Sequence, residues 1–277
     1  MPAHPFALED LRRIGAVLAE VARTEILPRF GRLETAQVRE KSSAFDIVTE
    51  ADEAAESAIG ARLRELFPEA NLVGEEACAR DASLLEAIGR GELCIVIDPI
   101  DGTKNFASGL PVFGVMAAVT RAGEVLAGAI HDPICGEWAY ALAAGGAWVE
   151  RADGSRVPLR VAAPVPVDRM EAVVGTRFLP EPLRSRVSAN MARFGGITLL
   201  RCAAHEYRLA AAGHLHLLAY NKLMPWDHAA GWLLHKEAGG YSAHFDGTPY
   251  APSHFSGGLI CAPDRRSWEL AREALLN

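Results

Sequence analysis

A chain of 277 residues, half of them apolar and 23% charged, can bury a large hydrophobic core, which excludes a disordered or fibrous protein. The formal net charge of −7 and the absence of a dense Lys/Arg stripe disfavour direct nucleic-acid binding. Five scattered cysteines favour free thiols in a reducing compartment, and no apolar run reaches the ~18 residues of a membrane span. We therefore expect a cytoplasmic protein without a signal peptide.

The first half of the chain is predicted to hold two helices followed by strands. Apolar residues at helical spacing predict helices over residues 6–29 and 49–67, the second with acidic residues at its start. Residues 72–76 are typical of a short strand entering a turn, and residues 93–97 of a strand buried on both faces. Apolar stretches that alternate with turn signals over residues 112–149 indicate antiparallel strands.

The second half is predicted to interleave strands and helices. A Pro-, Ala- and charge-rich stretch separates the halves, so we place the boundary there and divide the chain into 1–150 and 151–277. The predicted elements are strands at 172–175 and 198–200 and helices at 203–212 and 226–238. Helices and strands alternate in both halves, which predicts a layered α/β or α+β architecture.

The segment Asp98-Pro99-Ile100-Asp101-Gly102-Thr103 is the most informative part of the sequence. It follows a buried apolar strand, where open α/β sheets tend to bind ligands, and its two carboxylates can converge on one small volume. Gly102 permits close backbone approach, and Thr103 can open a helix whose N–H groups bind an anion. Carboxylates beside an anion need a hard dication between them, which points to Mg²⁺. An Asp-rich turn with a helix cap is the alternative interpretation.

Three further segments carry acidic side chains that could join this site. Glu75 follows the second short strand, Asp227 lies in the first turn of a predicted helix, and Asp52 lies in the helix after a polar loop. Taken singly, Glu75 is typical of solvated surface and Asp52 of a loop followed by a helix cap, whereas Asp227 fits a first-turn partner of the helix dipole and a metal ligand equally well. Whether these acids belong to one site therefore has to be judged from all the segments together and from their order in the chain.

The segments KSSAFDIVTEAD (41–52), GEE (74–76), DPIDGTKNF (98–106) and PWDHAAG (225–231), in this order, closely resemble the inositol monophosphatase family. That family belongs to the lithium-sensitive, Mg²⁺-dependent phosphatases, and the resemblance covers nearly the whole chain. It implies an α+β fold of the layered αβαβα type, sensitivity to Li⁺ and a homodimer.

The resemblance also implies the metal ligands. Glu75, Asp98 and the backbone carbonyl of Ile100 would hold one Mg²⁺ ion. Asp98, Asp101 and Asp227 would hold a second, and Glu75 could share a loosely held third ion. Such sites hydrolyse phosphate esters by two-metal catalysis with an activated water, and no covalent phosphoenzyme is expected.

Catalytic and phosphate-binding residues follow from the same resemblance. Thr103, paired with Asp52 and aided by Glu75, would orient and activate the attacking water. Gly102 and Thr103 would donate backbone N–H groups to the phosphate.

The substrate pocket departs from the pattern of inositol-active members. Those members carry Gly-Ser/Thr-Ala where this chain has Arg201-Cys202-Ala203, and a Glu that contacts sugar hydroxyls where it has Tyr220. Lys104 replaces their usual Thr. We expect Arg201, Ala203 and Tyr220 to contact the substrate, and we expect a pocket without that carboxylate to accept several alcohols.

Four functions remain open from the sequence. The leading one is hydrolysis of inositol monophosphate or a related polyol or sugar phosphate. The alternatives are a histidinol-phosphate phosphatase and a 3′(2′),5′-bisphosphate nucleotidase, in which Arg201 would meet a second anionic group. A regulatory partner of RNA machinery is the non-enzymatic alternative. The acidic net charge disfavours direct RNA binding, and the complete acidic set favours catalysis.

Two other chemistries are excluded by single residues. A haloacid-dehalogenase-type nucleophile motif needs Asp where the chain has Pro99. A zinc metalloprotease would need H-E-x-x-H, but His205-Glu206 is followed by Tyr207-Arg208-Leu209.

Overall fold

The structure, a computed structural model, describes residues 6–32, 38–43 and 46–277, with the backbone alone for residues 40–43 and 46. Helix α1 (Leu8–Val21) continues into a π-helical turn (Ala22–Ile26) and a 3₁₀ turn (Leu27–Arg29), which confirms the first predicted helix. Strands β1 (Val38–Ser43) and β2 (Asp46–Thr49) form an antiparallel pair. The motif segment 41–52 therefore spans both strands, with Ala44 and Phe45 outside the described residues.

Helix α2 (Glu50–Leu66) begins at a capping box, in which the side chains of Thr49 and Asp52 accept backbone N–H groups at the start of the helix. The Thr49 side chain accepts the N–H of Ala51 at 3.2 Å, and Asp52 Oδ2 accepts the N–H of Thr49 at 2.8 Å. Asp52 is thereby fixed in the first turn of the helix, with its side chain buried.

A seven-stranded sheet forms the centre of the first half. Its strands, in spatial order, are β3 (Asn71–Gly74), β4 (Leu93–Asp101), β5 (Gly114–Arg121), β6 (Glu124–Asp132), β7 (Glu137–Leu142), β8 (Gly146–Glu150) and β9 (Arg156–Pro158). Strands β3 and β4 are parallel, and every later pair is antiparallel. This agrees with the antiparallel strands predicted over 112–149.

Short helical segments follow the first strands of this sheet. They are α3 (Glu75–Arg80), a 3₁₀ helix (Ala82–Gly89) and α4 (Thr103–Ala107). The short strand predicted within residues 72–76 is confirmed as β3, one residue earlier at its start, but the turn predicted after it is wrong. Glu75 and Glu76 begin a helix, because the side chain of Glu56 on α2 accepts the N–H groups of Glu76 and Ala77 at 2.7 and 2.8 Å.

A five-stranded sheet forms the centre of the second half. Its strands are β10 (Glu171–Val174), β11 (Gly196–Ile197), β12 (Leu217–Tyr220), β13 (Tyr241–His244) and β14 (Leu259–Ala262), in the spatial order β11-β10-β12-β14-β13. The helices are α5 (Leu183–Asn190), α6 (Ala203–Ala211), α7 (Pro225–Glu237) and α8 (Arg265–Leu276), with 3₁₀ turns at Val167–Arg169 and Met191–Arg193. The seven-stranded sheet ends at Pro158 and this sheet begins at Glu171. A division at residue 150 stays a prediction.

The strand predicted at 198–200 lies at Gly196–Ile197 instead, so the prediction is off by two residues at its start and three at its end. The chain pairs with β10 at Gly196–Ile197 and then leaves the sheet, because the Leu200 N–H donates to Glu206 Oε1 at 2.9 Å instead of to a strand. Arg201 next takes a left-handed conformation with φ of 58°, which turns the chain into α6. The helices predicted at 203–212 and 226–238 are confirmed within one residue at each end.

Alternating side chains show how the layers stack. On β4, Ile95 and Ile97 pack in one core with α1 and α2, whereas Cys94 and Val96 pack in another with α7. On the second sheet, Val173 shares a core with Tyr207 of α6, and the opposite face of that sheet packs against α5 and α8. The order is therefore helices, sheet, helices, sheet, helices. The predicted α+β sandwich of αβαβα type is confirmed. Within the described ranges, no helix is both long and apolar enough to cross a bilayer.

Candidate active site

The two carboxylates of the Asp98–Asp101 segment lie on one side of β4 because the strand is bulged. In a regular strand, residues three apart point to opposite faces. Asp98 pairs with Met116 and Asp101 with Gly114, so β4 contains one more residue than β5 across this interval. The extra residue restores the same facing for both acids. The register shift therefore makes the side chains of Asp98 and Asp101 converge, although they are three residues apart in the sequence.

Asp227 joins these two acids from the other half of the chain. It lies in the first turn of α7, where Pro225 occupies the first helical position and fixes the entry of the chain. One carboxylate oxygen from each of Asp98, Asp101 and Asp227 lies within 4.8 Å of the others. We call these three residues the acidic cluster.

Burial and mutual repulsion make the acidic cluster costly without a cation. Burial raises the pKa of Asp98 and Asp227 well above the ordinary range, and the neighbouring carboxylates add to the shift. Burial also raises the pKa of Asp101, to about 6. Asp98 Oδ1 is buried without a hydrogen-bond partner. Three converging hard oxygen ligands, one of them otherwise unsatisfied, fit a divalent cation such as Mg²⁺.

The carboxylate of Asp101 is oriented by the start of α6. Asp101 Oδ2 accepts the N–H of Ala204 at 2.5 Å and the thiol of Cys202 at 3.0 Å. These bonds lower the pKa of Asp101 against the effect of burial. Helix α6 of the second half therefore positions Asp101, a candidate metal ligand in the first half.

Glu75 lies beside the acidic cluster rather than inside it. Its charge raises the pKa of Asp98, Asp101 and Asp227, although its carboxylate is not among the oxygens within 4.8 Å of one another. Glu75 is half-buried at the first position of α3, the helix whose N–H groups Glu56 accepts.

Glu56 approaches this helix closely because position 74 has no side chain. A Cβ atom at Gly74 would lie 2.4 Å from the Glu56 carboxylate. Burial raises the pKa of Glu56, so its position costs free energy that the bonds to α3 offset. Glu56 is a positioning residue that no pattern in the sequence indicated, since its partners lie about twenty residues away on another element.

The Thr103 hydroxyl lies between two of the predicted site residues. It is 3.1 Å from Asp52 Oδ1 and 3.0 Å from the backbone carbonyl oxygen of Ile100. A hydroxyl carries one proton, so it donates to one of these acceptors at a time and keeps its lone pairs for another donor. Asp52, Ile100 and Thr103 therefore form one connected group at the end of β4.

Gly102 is required at its position for two reasons. Its φ of +89° lies in the left-handed region that side chains disfavour. A Cβ there would also lie 2.9 Å from the carbonyl oxygen of Val112 and 3.2 Å from Cys202 Cβ. The turn into α4 can therefore pass close to α6 only with glycine.

A pocket of about 850 Å³ lies over the acidic cluster and between the two halves. Eight of the predicted site residues line it: Glu75, Asp101, Gly102, Thr103, Arg201, Ala203, Tyr220 and Asp227. The other three, Asp52, Asp98 and Ile100, are buried and do not line it. The cationic side chains of Lys104, Arg177, Arg201 and Lys222 also line the pocket, which makes it suitable for an anionic ligand.

Glu206 lines the pocket as well, although no pattern in the sequence indicated it. Tyr220 Oη donates to Glu206 Oε2 at 2.7 Å, and the Glu206 side chain lines the same pocket. Position 220 lacks a carboxylate, but the fold brings one to it from α6. The only signal in the sequence was an acid near the start of a predicted helix, and its partner lies on a different element.

Comparison with known proteins agrees with this geometry. The profile of the inositol monophosphatase family matches residues 7–276. The "Fructose-1,6-bisphosphatase/inositol-1-monophosphatase" of Thermotoga maritima is 31% identical over 243 residues, covering 87% of this chain and 84% of that protein. The "Nus factor SuhB" of Pseudomonas aeruginosa is 32% identical over 253 residues, covering 87% and 88% of the two chains.

A solved structure shows the same fold. The "extragenic suppressor protein suhB" of Bartonella henselae superposes with a TM-score of 0.82 at 27% identity, covering 96% of this chain and 98% of that one. The family profile spans nearly all of the sequence and includes every motif that carried the resemblance. The chain therefore belongs to the inositol monophosphatase family.

Proposed function

We propose that the protein is a Mg²⁺-dependent phosphomonoesterase that hydrolyses inositol monophosphate or a related polyol or sugar phosphate. The observation that carries this proposal is the acidic cluster at the base of a pocket with cationic walls. Such a pocket can hold a phosphate ester against a divalent cation. Family membership and relatives named as inositol-1-monophosphatases support phosphatase activity.

The metal-holding residues would be the acidic cluster together with Glu75 and the Ile100 carbonyl. Bound divalent ions supply an activated water and stabilisation of the leaving oxygen. Asp101 is held by α6 and Asp227 by the first turn of α7, so these two ligands are positioned before any ion binds. That rigidity favours the defined geometry that Mg²⁺ requires.

Thr103 and Asp52 would orient the attacking water. When the Thr103 hydroxyl donates to Asp52 Oδ1, its oxygen is left with lone pairs that accept a hydrogen bond from water. Asp52 cannot turn away, because its other oxygen accepts from Thr49 N–H. The cationic residues that line the pocket would hold the phosphate and leave its phosphorus facing the acidic cluster. These residues are Lys104, Arg177, Arg201 and Lys222.

A phosphate-release screen tests this function. The purified protein is assayed with inositol 1-phosphate, glycerol 2-phosphate, fructose 1,6-bisphosphate, histidinol phosphate and adenosine 3′,5′-bisphosphate, each with Mg²⁺ and with EDTA. We expect Mg²⁺-dependent release that is greatest for a polyol or sugar phosphate. Preference for histidinol phosphate or for the bisphosphate nucleotide would identify one of the alternative enzymes. Absence of release from all five would contradict the proposal.

A regulatory role is the second candidate, because a relative at 32% identity is named a Nus factor. In that case this chain would bind a component of the RNA machinery. Pull-down with the wild type and Asp98→Asn, each with and without Mg²⁺, separates the roles. Partner capture that does not depend on Asp98, without phosphate release, would favour regulation.

A further inference from the structure

His228 directly follows Asp227 in α7, and its ring is buried against α6. The two ring nitrogens are hydrogen-bonded to separate parts of the chain. Nε2 lies 3.0 Å from the backbone carbonyl oxygen of Lys222, and Nδ1 lies 3.1 Å from the hydroxyl oxygen of Tyr207 on α6. We call Tyr207 and His228 the tyrosine–histidine pair.

The two partners determine which nitrogen of the His228 ring carries the proton. A carbonyl oxygen can only accept a hydrogen bond, so Nε2 donates to Lys222. Burial lowers the pKa of His228 to about 4, so the ring is neutral at pH 7 and Nδ1 carries no proton. Nδ1 therefore accepts a hydrogen bond from the Tyr207 hydroxyl. Both nitrogens are satisfied, which fixes the ring in one tautomer and one orientation.

The two neighbours of Asp227 in the sequence anchor α7 to different halves of the molecule. Successive residues of a helix are about 100° apart around its axis, so Trp226 and His228 lie on either side of Asp227. Trp226 packs in the core that contains Val96 of β4, whereas His228 is bonded to Tyr207 of the second half. Rotation of the first turn of α7 would break one of these contacts. Together they fix the direction in which the Asp227 carboxylate points.

Close packing of α6 against α7 keeps the Tyr207 hydroxyl within reach of His228. A Cβ atom at Gly231, three residues after His228, would lie 2.2 Å from Tyr207 Cδ2, so the tyrosine ring lies directly against the helix. The side chain of Cys261 on β14 is a further hydrogen-bond partner of the Tyr207 hydroxyl. Tyr207 is buried on all sides, so the pair is held rigidly by its surroundings.

We propose that the tyrosine–histidine pair positions Asp227 as a ligand of the divalent cation, so that Mg²⁺ affinity depends on the bond between Tyr207 and His228. This inference rests on the proposed function and deepens it. Tyr207 and His228 are positioning residues, because they act on Asp227 through the backbone of α7 and are not among the residues that would hold the ion. Mg²⁺ demands near-ideal octahedral geometry, so a small displacement of one ligand weakens its binding.

Two substitutions remove the bond from its two ends. Tyr207→Phe deletes the hydroxyl and keeps the ring against Gly231. His228→Gln places an amide N–H group near the position of Nε2, where Lys222 can accept it, and removes the acceptor Nδ1. The double variant Tyr207→Phe/His228→Gln completes the set. Tyr207→Phe is the mildest change and remains informative if the variants at position 228 fail to fold.

The matched control is Tyr140→Phe, which removes a hydroxyl buried in the core of the first half. Calorimetric titration gives the Kd for Mg²⁺ of the wild type and all variants, and thermal unfolding without metal gives their Tm. Nitrogen NMR of the histidine rings reports the tautomer of His228, whose signals are assigned by their loss in His228→Gln.

We expect each single variant to raise the Kd for Mg²⁺ about 3- to 10-fold, the range of one lost hydrogen bond. Because both substitutions remove the same bond, the double variant should lose no more than the weaker-binding single variant. Tyr140→Phe should keep the wild-type Kd. The wild type should show His228 protonated at Nε2, and the Nδ1 signal should shift in Tyr207→Phe.

An unchanged Kd in Tyr207→Phe, even with a lower Tm, would show a structural role alone and overturn the inference. Losses of Mg²⁺ affinity that add in the double variant, or a His228 ring protonated at Nδ1, would overturn it as well. The proposed function fails separately: a wild type that binds Mg²⁺ but releases no phosphate from any ester of the screen would refute the function and leave the positioning role testable by the same Kd values. A wild type that does not bind Mg²⁺ would refute both.

Discussion

The Thr103 hydroxyl lies 3.1 Å from Asp52 Oδ1, which joins the first turn of α4 to the first turn of α2. Fifty-one residues separate the two in sequence. The contact places a hydroxyl with free lone pairs beside the acidic cluster, where an attacking water would be held.

Replacing Thr103 by Ala should lower kcat about 10²-fold or more, the scale of a lost positioning or acid–base group. Thr103 is not among the residues that would hold Mg²⁺, so the Mg²⁺-induced rise in Tm should be kept. Thr103→Ser retains the hydroxyl and is the matched control. An increase in KM at constant kcat would instead make Thr103 a binding residue only.

Asp98→Asn should abolish turnover and weaken Mg²⁺ binding, because Asp98 would be shared by both ions. The metal-free variant should also unfold at a higher temperature than the metal-free wild type at pH 8. The substitution removes one of three crowded buried charges. Calorimetric titration with Mg²⁺ and thermal unfolding measure the two effects. Asp153→Asn, in an exposed turn, is the control. Wild-type activity with unchanged Mg²⁺ affinity would refute the metal site.

The stabilisation by Mg²⁺ should increase with pH. In the metal-free protein, the pKa of Asp98 and of Asp227 is raised and that of Asp101 is raised to about 6. The folded state therefore binds protons more tightly than the unfolded chain. These protons stabilise the folded state. Their contribution to the free energy of unfolding is fully present below the pKa of the unfolded chain, and it is lost as pH rises through the raised pKa of the folded state.

Mg²⁺ replaces these protons, so it competes poorly at low pH. We expect the Mg²⁺-induced rise in Tm to be roughly 2 °C or more larger at pH 8 than at pH 6. Scanning calorimetry at fixed Mg²⁺ concentration measures this difference. Equal rises at both pH values would mean that the cluster does not hold the ion.

Gly74→Ala should destabilise the fold by about 1–3 kcal/mol, because the new Cβ would overlap the Glu56 carboxylate. Displacement of Glu56 also removes its hydrogen bonds to the start of α3. Glu75 is the first residue of that helix and would be less well positioned, so Mg²⁺ affinity should fall. Gly91→Ala, where nothing lies within 4 Å of the added Cβ, is the control. Wild-type stability of Gly74→Ala would show that Glu56 does not fix α3.

Millimolar Li⁺ should inhibit the enzyme uncompetitively. A small monovalent cation can occupy a metal position after the leaving group departs and trap phosphate there. Initial rates over a matrix of substrate and Li⁺ concentrations measure the pattern, with Na⁺ as the control cation. Insensitivity at tens of millimolar would place this chain in a divergent branch of the superfamily while leaving Mg²⁺ chemistry in place.

The family, the layered fold and the three acids of the acidic cluster could all be predicted from the sequence. Local patterns sufficed for these. The run over residues 93–97 is apolar without interruption because both faces of β4 are buried. Asp98, Asp101 and Asp227 could be identified because the first two follow the apolar run of β4 and the third opens a helix, and such places have recognisable residues.

The way in which these residues come together could not be predicted from the sequence, because it depends on contacts between separate elements. The bulge that turns Asp98 and Asp101 to one face depends on pairing with β5. Glu56 is hydrogen-bonded to α3, and Glu206 to Tyr220, although the partners lie on different elements. The periodicity of a sequence does not predict such pairs. A sequence pattern reports which face or end a residue occupies on its own element. The partner of a buried polar group is set by the packing of separate elements, and so the arrangement of side chains in the pocket depends on the fold.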